Sequence, residues 1–214
     1  DTLLSLNSLN NLALLLYPKT LGSLNNLALL LQAQGHLAEA EPLYREALEK
    51  SKAKLGEDHP DTLRSLSNLA ELLEAQGHLA EAEPLFRKAL EKSKAKLGED
   101  HPDTLNSINN LAAVLDDQEA EPLYREALEK RRLKLGNQHP DTMWSIYSLA
   151  NLLKSMKKFE EAEELFREEL AACISRHGEH HEETLDSMEN LAEFLEERGK
   201  VDEAQELLHL AGRT

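Results

Sequence analysis

One 42-residue pattern recurs along the chain and limits what the chain can fold into. Copies begin at Thr20, Thr62, Thr104, Thr142 and Thr184, at spacings of 42, 42, 38 and 42 residues. A fixed period of this size is typical of a repeat array, in which each unit buries its apolar face against its neighbours. We therefore expect a stack of repeats rather than a single globular core.

Each copy of the pattern has the features of two consecutive helices, and the second copy shows them best. Pro60 stands in the first helical turn, where its missing N–H is not needed. Leucine and alanine then recur at helical spacing through residues 63–73 and again through residues 82–90. Gly77, between the two runs, suits the left-handed backbone at which helices end. The pattern predicts an all-α fold built from helix pairs.

The repeats divide the chain into six predicted segments. These are an N-terminal half-repeat helix over residues 1–19, followed by repeats over residues 20–61, 62–103, 104–141, 142–183 and 184–214. The first segment lacks a second helix, and the last repeat has no polar capping helix after it. We therefore expect the chain to be a fragment of a longer protein.

The third repeat is the irregular one. Residues 77–80 form the turn of the second repeat, and the third repeat has no counterpart to them between Leu115 and Glu119. An antiparallel helix pair cannot reverse direction without connecting residues. Either the two helices fuse into one long helix, or a connecting turn is missing from this sequence. We favour the missing turn, because the first segment also lacks part of the pattern.

The repeat resembles a known family. The positions that match the tetratricopeptide repeat are Leu69, Ala70, Gly77, Ala82, Phe86 and Ala89. The longer period, with residues 24–28 (LNNLA) and 40–48 (AEPLYREAL), resembles the kinesin light chain type of this repeat. The resemblance covers residues 20–211 and implies a right-handed α-solenoid of antiparallel helix pairs. It also implies a protein-interaction scaffold that holds a partner peptide in a concave groove, as a cargo adaptor does.

The resemblance further implies that the groove is lined by the first helix of each pair. Asn26, Asn68, Asn110 and Asn190 share one repeat position on these helices. An amide can both donate to and accept from an extended peptide backbone, which suits a peptide groove. The alternative is that each asparagine hydrogen-bonds within its own helix pair.

Two aromatic residues and two basic residues also occupy groove positions. Trp144 and Tyr147 are three residues apart and share one helix face. Exposed aromatic side chains are common binding anchors, although Trp144 could instead pack at the junction between repeats. The predicted peptide-binding residues are Asn26, Arg64, Asn68, Asn110, Trp144, Tyr147, Asn151, Lys154 and Asn190.

The groove positions of the last repeat carry acidic residues and no basic one, so they either favour ligands that bear lysine or arginine or form only a solvated end face. Kinesin light chains resemble this chain in fold but bind acidic peptides through a groove with basic residues. The charge of the groove therefore departs from the family pattern, and the cargo preference implied by the resemblance does not transfer directly.

Charge and motif content argue against several other functions. The net charge of −16 disfavours nucleic acid and anionic membrane surfaces, and no apolar run could span a bilayer. No phosphate-binding loop or paired catalytic group is present, so we expect no enzyme activity and no cofactor. His177, His180 and His181 lie in a linker without defined ligand geometry, so no metal site is predicted.

The remaining predictions concern single residues and partners. Cys173 is the only cysteine and is expected to be buried, while His59, His101 and His139 are expected to cap or pack at the turns. We expect a cytoplasmic protein with a protein or peptide partner. The alternative function is self-assembly into a homodimer through the unpaired terminal helices.

Overall fold

The computed structural model describes residues 21–212, and every regular element in that range is an α-helix. The all-α prediction is confirmed, and the helix predicted over residues 1–19 lies outside the described residues. The chain divides into two compact units, whose described parts are residues 21–114 and 115–212. No helix in residues 21–212 has both the length and the apolar character required to span a bilayer.

The described part of the first unit contains five helices. They are α1 (Leu21–Ala33), α2 (Leu37–Leu55), α3 (Pro60–Ala75), α4 (Leu79–Leu97) and α5 (Pro102–Ala113). Each helix packs against the next one in the sequence, and α3 also contacts α1 and α5. The connections are only three or four residues long, so neighbouring helices run in opposite directions.

The second unit has the same organisation within the residues described. Its helices are α6 (Asp117–Leu135), α7 (Pro140–Ser155), α8 (Phe159–His177), α9 (Glu182–Glu197) and α10 (Val201–Leu210). Again each helix packs against the next one in the sequence. Helices α7 and α8 form one pair of the repeat pattern, and α9 and α10 form the next.

The periodic leucine and alanine positions build the core of each unit. On α3 the buried stripe comprises Leu63, Leu66, Leu69, Ala70 and Leu73. Residues three and four apart lie on one helix face, so this stripe packs against the adjoining helices. On α4, which packs against α3, Ala82, Phe86 and Ala89 have no exposed surface. The small alanines allow the two helices to approach closely around the phenylalanine ring.

In four of the described helices, the side chain of the histidine just before the first turn caps the helix. The Nδ1 atom of His59 accepts a hydrogen bond of 3.2 Å from the backbone N–H of Asp61. His101, His139 and His181 make the same contact with the backbone two residues ahead. These bonds satisfy N–H groups that the first turn of a helix leaves without partners. The predicted capping by the first three histidines is confirmed.

The shortened third repeat contains a break between two helices. Helix α5 ends at Ala113 and α6 begins at Asp117, so the alternative of one fused helix is wrong. The carboxylate of Asp116 accepts hydrogen bonds from the backbone N–H groups of Gln118 and Glu119, and so caps the start of α6. The boundary between the two units follows Val114 and therefore lies inside this repeat.

Lys157 occupies the place of the turn glycine between α7 and α8. Its φ is 60°, close to the 79° of Gly77 in the equivalent turn between α3 and α4. A residue with a Cβ atom is disfavoured there by about 1–2 kcal/mol. The turn between α7 and α8 therefore keeps the left-handed backbone of the repeat even though lysine disfavours it.

Candidate functional site

In the first unit, the predicted asparagine row lies on three helices. Asn26 is on α1, Asn68 on α3 and Asn110 on α5, and α3 contacts both of the other helices. Asn26 is exposed, whereas Asn68 and Asn110 are partly buried. The repeat register therefore places one amide on the first helix of each successive pair.

A cavity of about 270 Å³, which we call the first cavity, is lined by residues of α3, α4 and α5 and includes two of these amides. The lining residues of α3 include Arg64, Asn68 and Glu71. Asn106 and Asn110 are among those that α5 contributes. The first cavity thus combines amides with charges of both signs, and three of the predicted binding residues meet in it.

Glu71 is a partly buried acid of the first cavity. Its Oε1 atom accepts a hydrogen bond of 2.6 Å from Nδ2 of Asn110. Burial raises the pKa of the Glu71 carboxyl; the bond from Asn110 opposes this shift, and the charge of Glu74 adds to it. Since Glu71 belongs to the preceding repeat, the alternative that each asparagine bonds within its own helix pair is wrong for Asn110.

Arg64 and Asn68 differ in how their side chains are bonded. Arg64 donates to the carboxylate of Asp61 at 2.7 Å, and this exposed pair contributes little to stability. The Asn68 amide has no hydrogen-bond partner among residues 21–212. Its donor and acceptor groups are therefore available to a ligand in the first cavity.

In the second unit, Trp144 and Tyr147 lie on α7. The Trp144 side chain is 47% exposed, and the guanidinium carbon of Arg131 lies 5.7 Å from the centroid of its ring. The Tyr147 ring makes an edge contact with Phe166, with 6.2 Å between the ring centroids. Trp144 is therefore a half-exposed aromatic group, while Tyr147 rests partly on the core.

The other predicted residues of the second unit have separate contacts. Nδ2 of Asn151 donates to the carbonyl of Tyr147 in its own helix at 3.0 Å. Nζ of Lys154 donates to the Glu197 carboxylate of α9 at 2.8 Å. Asn190 lies on α9 and lines the same cavity as the two aromatic residues. Asn151 and Lys154 do not line that cavity.

This second cavity has a volume of about 240 Å³ and contains an acid that sequence reasoning did not assign to a site. The lining residues are Pro140, Met143, Trp144, Tyr147, Glu169, Cys173, Glu183, Asp186, Ser187 and Asn190. The Glu169 carboxylate accepts hydrogen bonds from the Ser187 hydroxyl and, at 3.2 Å, from the Cys173 thiol. Burial raises the pKa of Glu169. The sequence does mark Glu169 as unusual, because it replaces an alanine of the repeat pattern.

We expect Cys173 to resist thiol reagents while the second unit is folded. The side chain is buried, as predicted. Burial, together with the charge of Glu169, raises the pKa of the thiol to about 12. At pH about 8 the reactive thiolate is therefore scarce, and reaction with a disulfide reagent should be at least about 100-fold slower than in urea. Similar rates in the folded and unfolded protein would contradict this prediction.

His177, His181 and Glu183 are the described residues that could together hold a metal ion. Their candidate ligand atoms all lie within 4.8 Å of one another. The two imidazole rings stack with 4.4 Å between centroids, and Nε2 of His177 lies 3.1 Å from the Glu183 carboxylate. Imidazole and carboxylate are zinc ligands, but stacking of the two rings and the contact between His177 and Glu183 account for the same arrangement. The sequence predicts no metal site at these histidines, which lie in a linker, and Glu183 is not among the predicted site residues.

The family of the chain follows from comparison with known proteins. A profile of the tetratricopeptide repeat matches residues 19–95, 115–175 and 146–211, which is more than half of the chain. The chain belongs to the tetratricopeptide repeat family. It is therefore a protein-interaction scaffold with a fold that is typically not enzymatic. The comparison with curated proteins gave no match.

Solved structures identify the type of tetratricopeptide repeat. The kinesin light chain TPR-like repeats of Podospora anserina are 28% identical, with a TM-score of 0.75, over 89% of this chain and 92% of theirs. BtubC (BKLC) from P. vanneervenii is 26% identical, with a TM-score of 0.75, over 90% of this chain and 78% of its own. These structures confirm the predicted kinesin light chain-like type.

A third solved structure shares the fold alone. The Rap protein, complexed with Competence and Sporulation Factor, is 17% identical, with a TM-score of 0.73. The match covers 91% of this chain and 56% of the Rap chain. The same helical architecture therefore occurs in proteins whose sequences differ widely.

Proposed function

We propose that the protein binds an extended segment of a partner protein along the first helices of its repeat pairs. In the first unit the proposed contacts are Asn26, Arg64, Asn68 and Asn110. In the second unit they are Trp144, Tyr147, Asn151, Lys154 and Asn190. The observation that carries the proposal is the first cavity, in which the Asn68 amide has no partner among the described residues.

The chemistry of the first cavity suits a peptide backbone. Each peptide unit brings one donor and one acceptor, which must be paired when water is removed from them. A carboxamide such as that of Asn68 offers both complementary groups and does not select a particular side chain. Arg64 and Glu71 add charges of opposite sign beside it and can select among partner side chains.

The similarity to kinesin light chain repeats supports a cargo-adaptor role in the cytoplasm. The identities of 28% and 26% extend over about nine-tenths of this chain. Most positions that build the stack recur between repeats, while several proposed contact positions differ between copies, as Arg64 and Trp144 do. Partner choice in such a scaffold depends on those variable positions, so the cargo of a relative cannot be assigned to this chain.

The test is a peptide-library screen followed by affinity measurements. Labelled hits are titrated with the protein, and binding is measured by fluorescence anisotropy. We expect Asn68→Ala to weaken the Kd of hits by about 3–10-fold, because a typical hydrogen bond contributes about 0.5–1.5 kcal/mol. Asn137→Ala is the matched control, since Asn137 is an exposed residue of the connection between α6 and α7.

Two results would contradict the proposed function. One is a library without a binder, and the other is an unchanged Kd for Asn68→Ala in a correctly folded protein. Light scattering on the same samples gives the mass in solution. A dimer that covers these helices with its own chain would favour the self-assembly alternative over peptide binding.

A further inference from the structure

The second cavity differs from the equivalent positions of the other repeats in one respect. Glu169 of α8 occupies the position that Ala47, Ala89 and Ala127 hold in the preceding repeats. Those three alanines are fully buried. The fourth repeat therefore places a carboxylate where the other repeats have only a methyl group.

The Glu169 carboxylate is held in place but not neutralised. It accepts hydrogen bonds from the Ser187 hydroxyl and the Cys173 thiol, both of which are uncharged donors. Two more acids, Glu183 and Asp186, line the same cavity, and none of the described lining residues is basic. A partly buried carboxylate without a cation is unfavourable, and a bound cation would relieve that cost.

The aromatic part of the second cavity also favours a positively charged ligand. Trp144 is about half exposed at the cavity, and Tyr147 lies beside it. A cation over an indole ring is attracted by the ring quadrupole, and arginine makes this contact most often. The chain itself gives an example, because the Arg131 guanidinium already lies 5.7 Å from the centre of the Trp144 ring.

We propose that the second cavity binds an arginine side chain of the partner protein, with the guanidinium stacked on Trp144 and hydrogen-bonded to Glu169. A planar guanidinium can stack flat on an aromatic ring while two of its N–H groups bond one carboxylate in parallel, a geometry that the compact ammonium group of lysine does not offer. The volume of about 240 Å³ is below the usual range for drug-sized ligands, which begins near about 300 Å³, and suits a single side chain. This inference rests on the proposed peptide-binding function and specifies the partner's chemistry.

The experiment compares four acetylated and amidated pentapeptides that differ only in the central residue between alanines. The central residue is arginine, its uncharged isostere citrulline, lysine or glutamate. Trp144 is the only tryptophan of the chain, so its fluorescence reports binding, and calorimetry provides a second readout. We expect the arginine peptide to bind at least about tenfold more tightly than the citrulline peptide, as a charge-assisted hydrogen bond implies.

Glu169→Gln removes the charge and keeps the shape of the side chain. We expect it to reduce the preference for arginine over citrulline to within about threefold. Glu168→Gln is the matched control, because Glu168 is the neighbouring acid, pairs with Arg132 and does not line the cavity. It should leave the preference unchanged, and circular dichroism checks that both variants are folded.

Three outcomes would overturn the inference. They are equal binding of arginine and citrulline peptides, equal binding of arginine and lysine peptides, and a preference for arginine that persists in the folded Glu169→Gln variant.

Failure of the proposed function would give a different result. If library hits respond to Asn68→Ala but not to Glu169→Gln, peptide binding stands and the arginine site is wrong. If arginine peptides depend on Glu169 and no hit depends on Asn68, the arginine site stands and the first-unit surface is wrong.

Discussion

Replacing Phe86 with alanine is expected to lower the free energy of unfolding by about 3–5 kcal/mol. Phe86 has no exposed surface and lies on α4, which packs against both α3 and α5. Truncation removes the apolar contacts of the ring and leaves a cavity, because the packed neighbours relax only in part. Urea denaturation followed by circular dichroism measures the loss as an earlier unfolding transition.

Leu79→Ala is the control for Phe86→Ala. Leu79 begins the same helix but is 47% exposed, so its truncation should change stability by no more than about 1 kcal/mol. Circular dichroism without urea checks that both variants have the native helix content. Similar destabilisation by the two substitutions would mean that Phe86 does not occupy the core of the first unit.

The core could be predicted from the sequence because it depends on spacing alone. A leucine or alanine at every third or fourth position must face one side of a helix, whatever its neighbours are. Leu63, Leu66 and Leu69 are buried for this reason. The histidine caps were also predictable, since a cap involves residues only two positions apart in the sequence.

The bonding of the candidate site was less predictable, because it depends on side chains from different repeats. Asn110 donates to Glu71, but the residue one repeat before Glu71 is Leu29, which offers no acceptor. Equivalent asparagines therefore have different surroundings. Asn151 differs again, since its amide donates within its own helix to the carbonyl of Tyr147.

Arg131 was missed altogether by the sequence reasoning. It occupies the helix position of Ser51 and Ser93, and a basic residue at the end of a helix normally extends into solvent. In the structure it is 1% exposed and donates to the carbonyl of Asp141 and the hydroxyl of Ser145. Burial lowers the pKa of its guanidinium. The sequence shows the substitution but not the acceptors that make the buried arginine acceptable.

The second cavity combines both kinds of information. Glu169 is visible in the sequence as a departure from alanine, which marks the fourth repeat as unusual. Its environment becomes visible only when α7, α8 and α9 bring Trp144, Ser187 and Asp186 around it. Departures from a repeat pattern therefore indicate where to search, and the packing of the helices decides what chemistry the site can perform.

Replacing Gly98 with alanine is expected to destabilise the first unit by about 1–3 kcal/mol. Gly98 follows the end of α4 with φ 91° and ψ 163°, a conformation that is essentially restricted to glycine. A Cβ atom at this position would meet no other atom within 4 Å, so the cost comes from the backbone and not from a clash. Thermal unfolding followed by circular dichroism measures the effect as a lower Tm.

Gly22→Ala separates backbone strain from the general effect of adding a methyl group. Gly22 lies within α1, and a Cβ atom there would also meet nothing within 4 Å. Because alanine favours the helix by up to about 1 kcal/mol over glycine, this variant should be as stable as the parent or more so. The two substitutions add the same methyl group to different backbone conformations. We therefore expect Gly98→Ala to lower the Tm and Gly22→Ala to leave it unchanged or raise it. Equal losses in both variants would show that the connection after α4 does not require the glycine conformation.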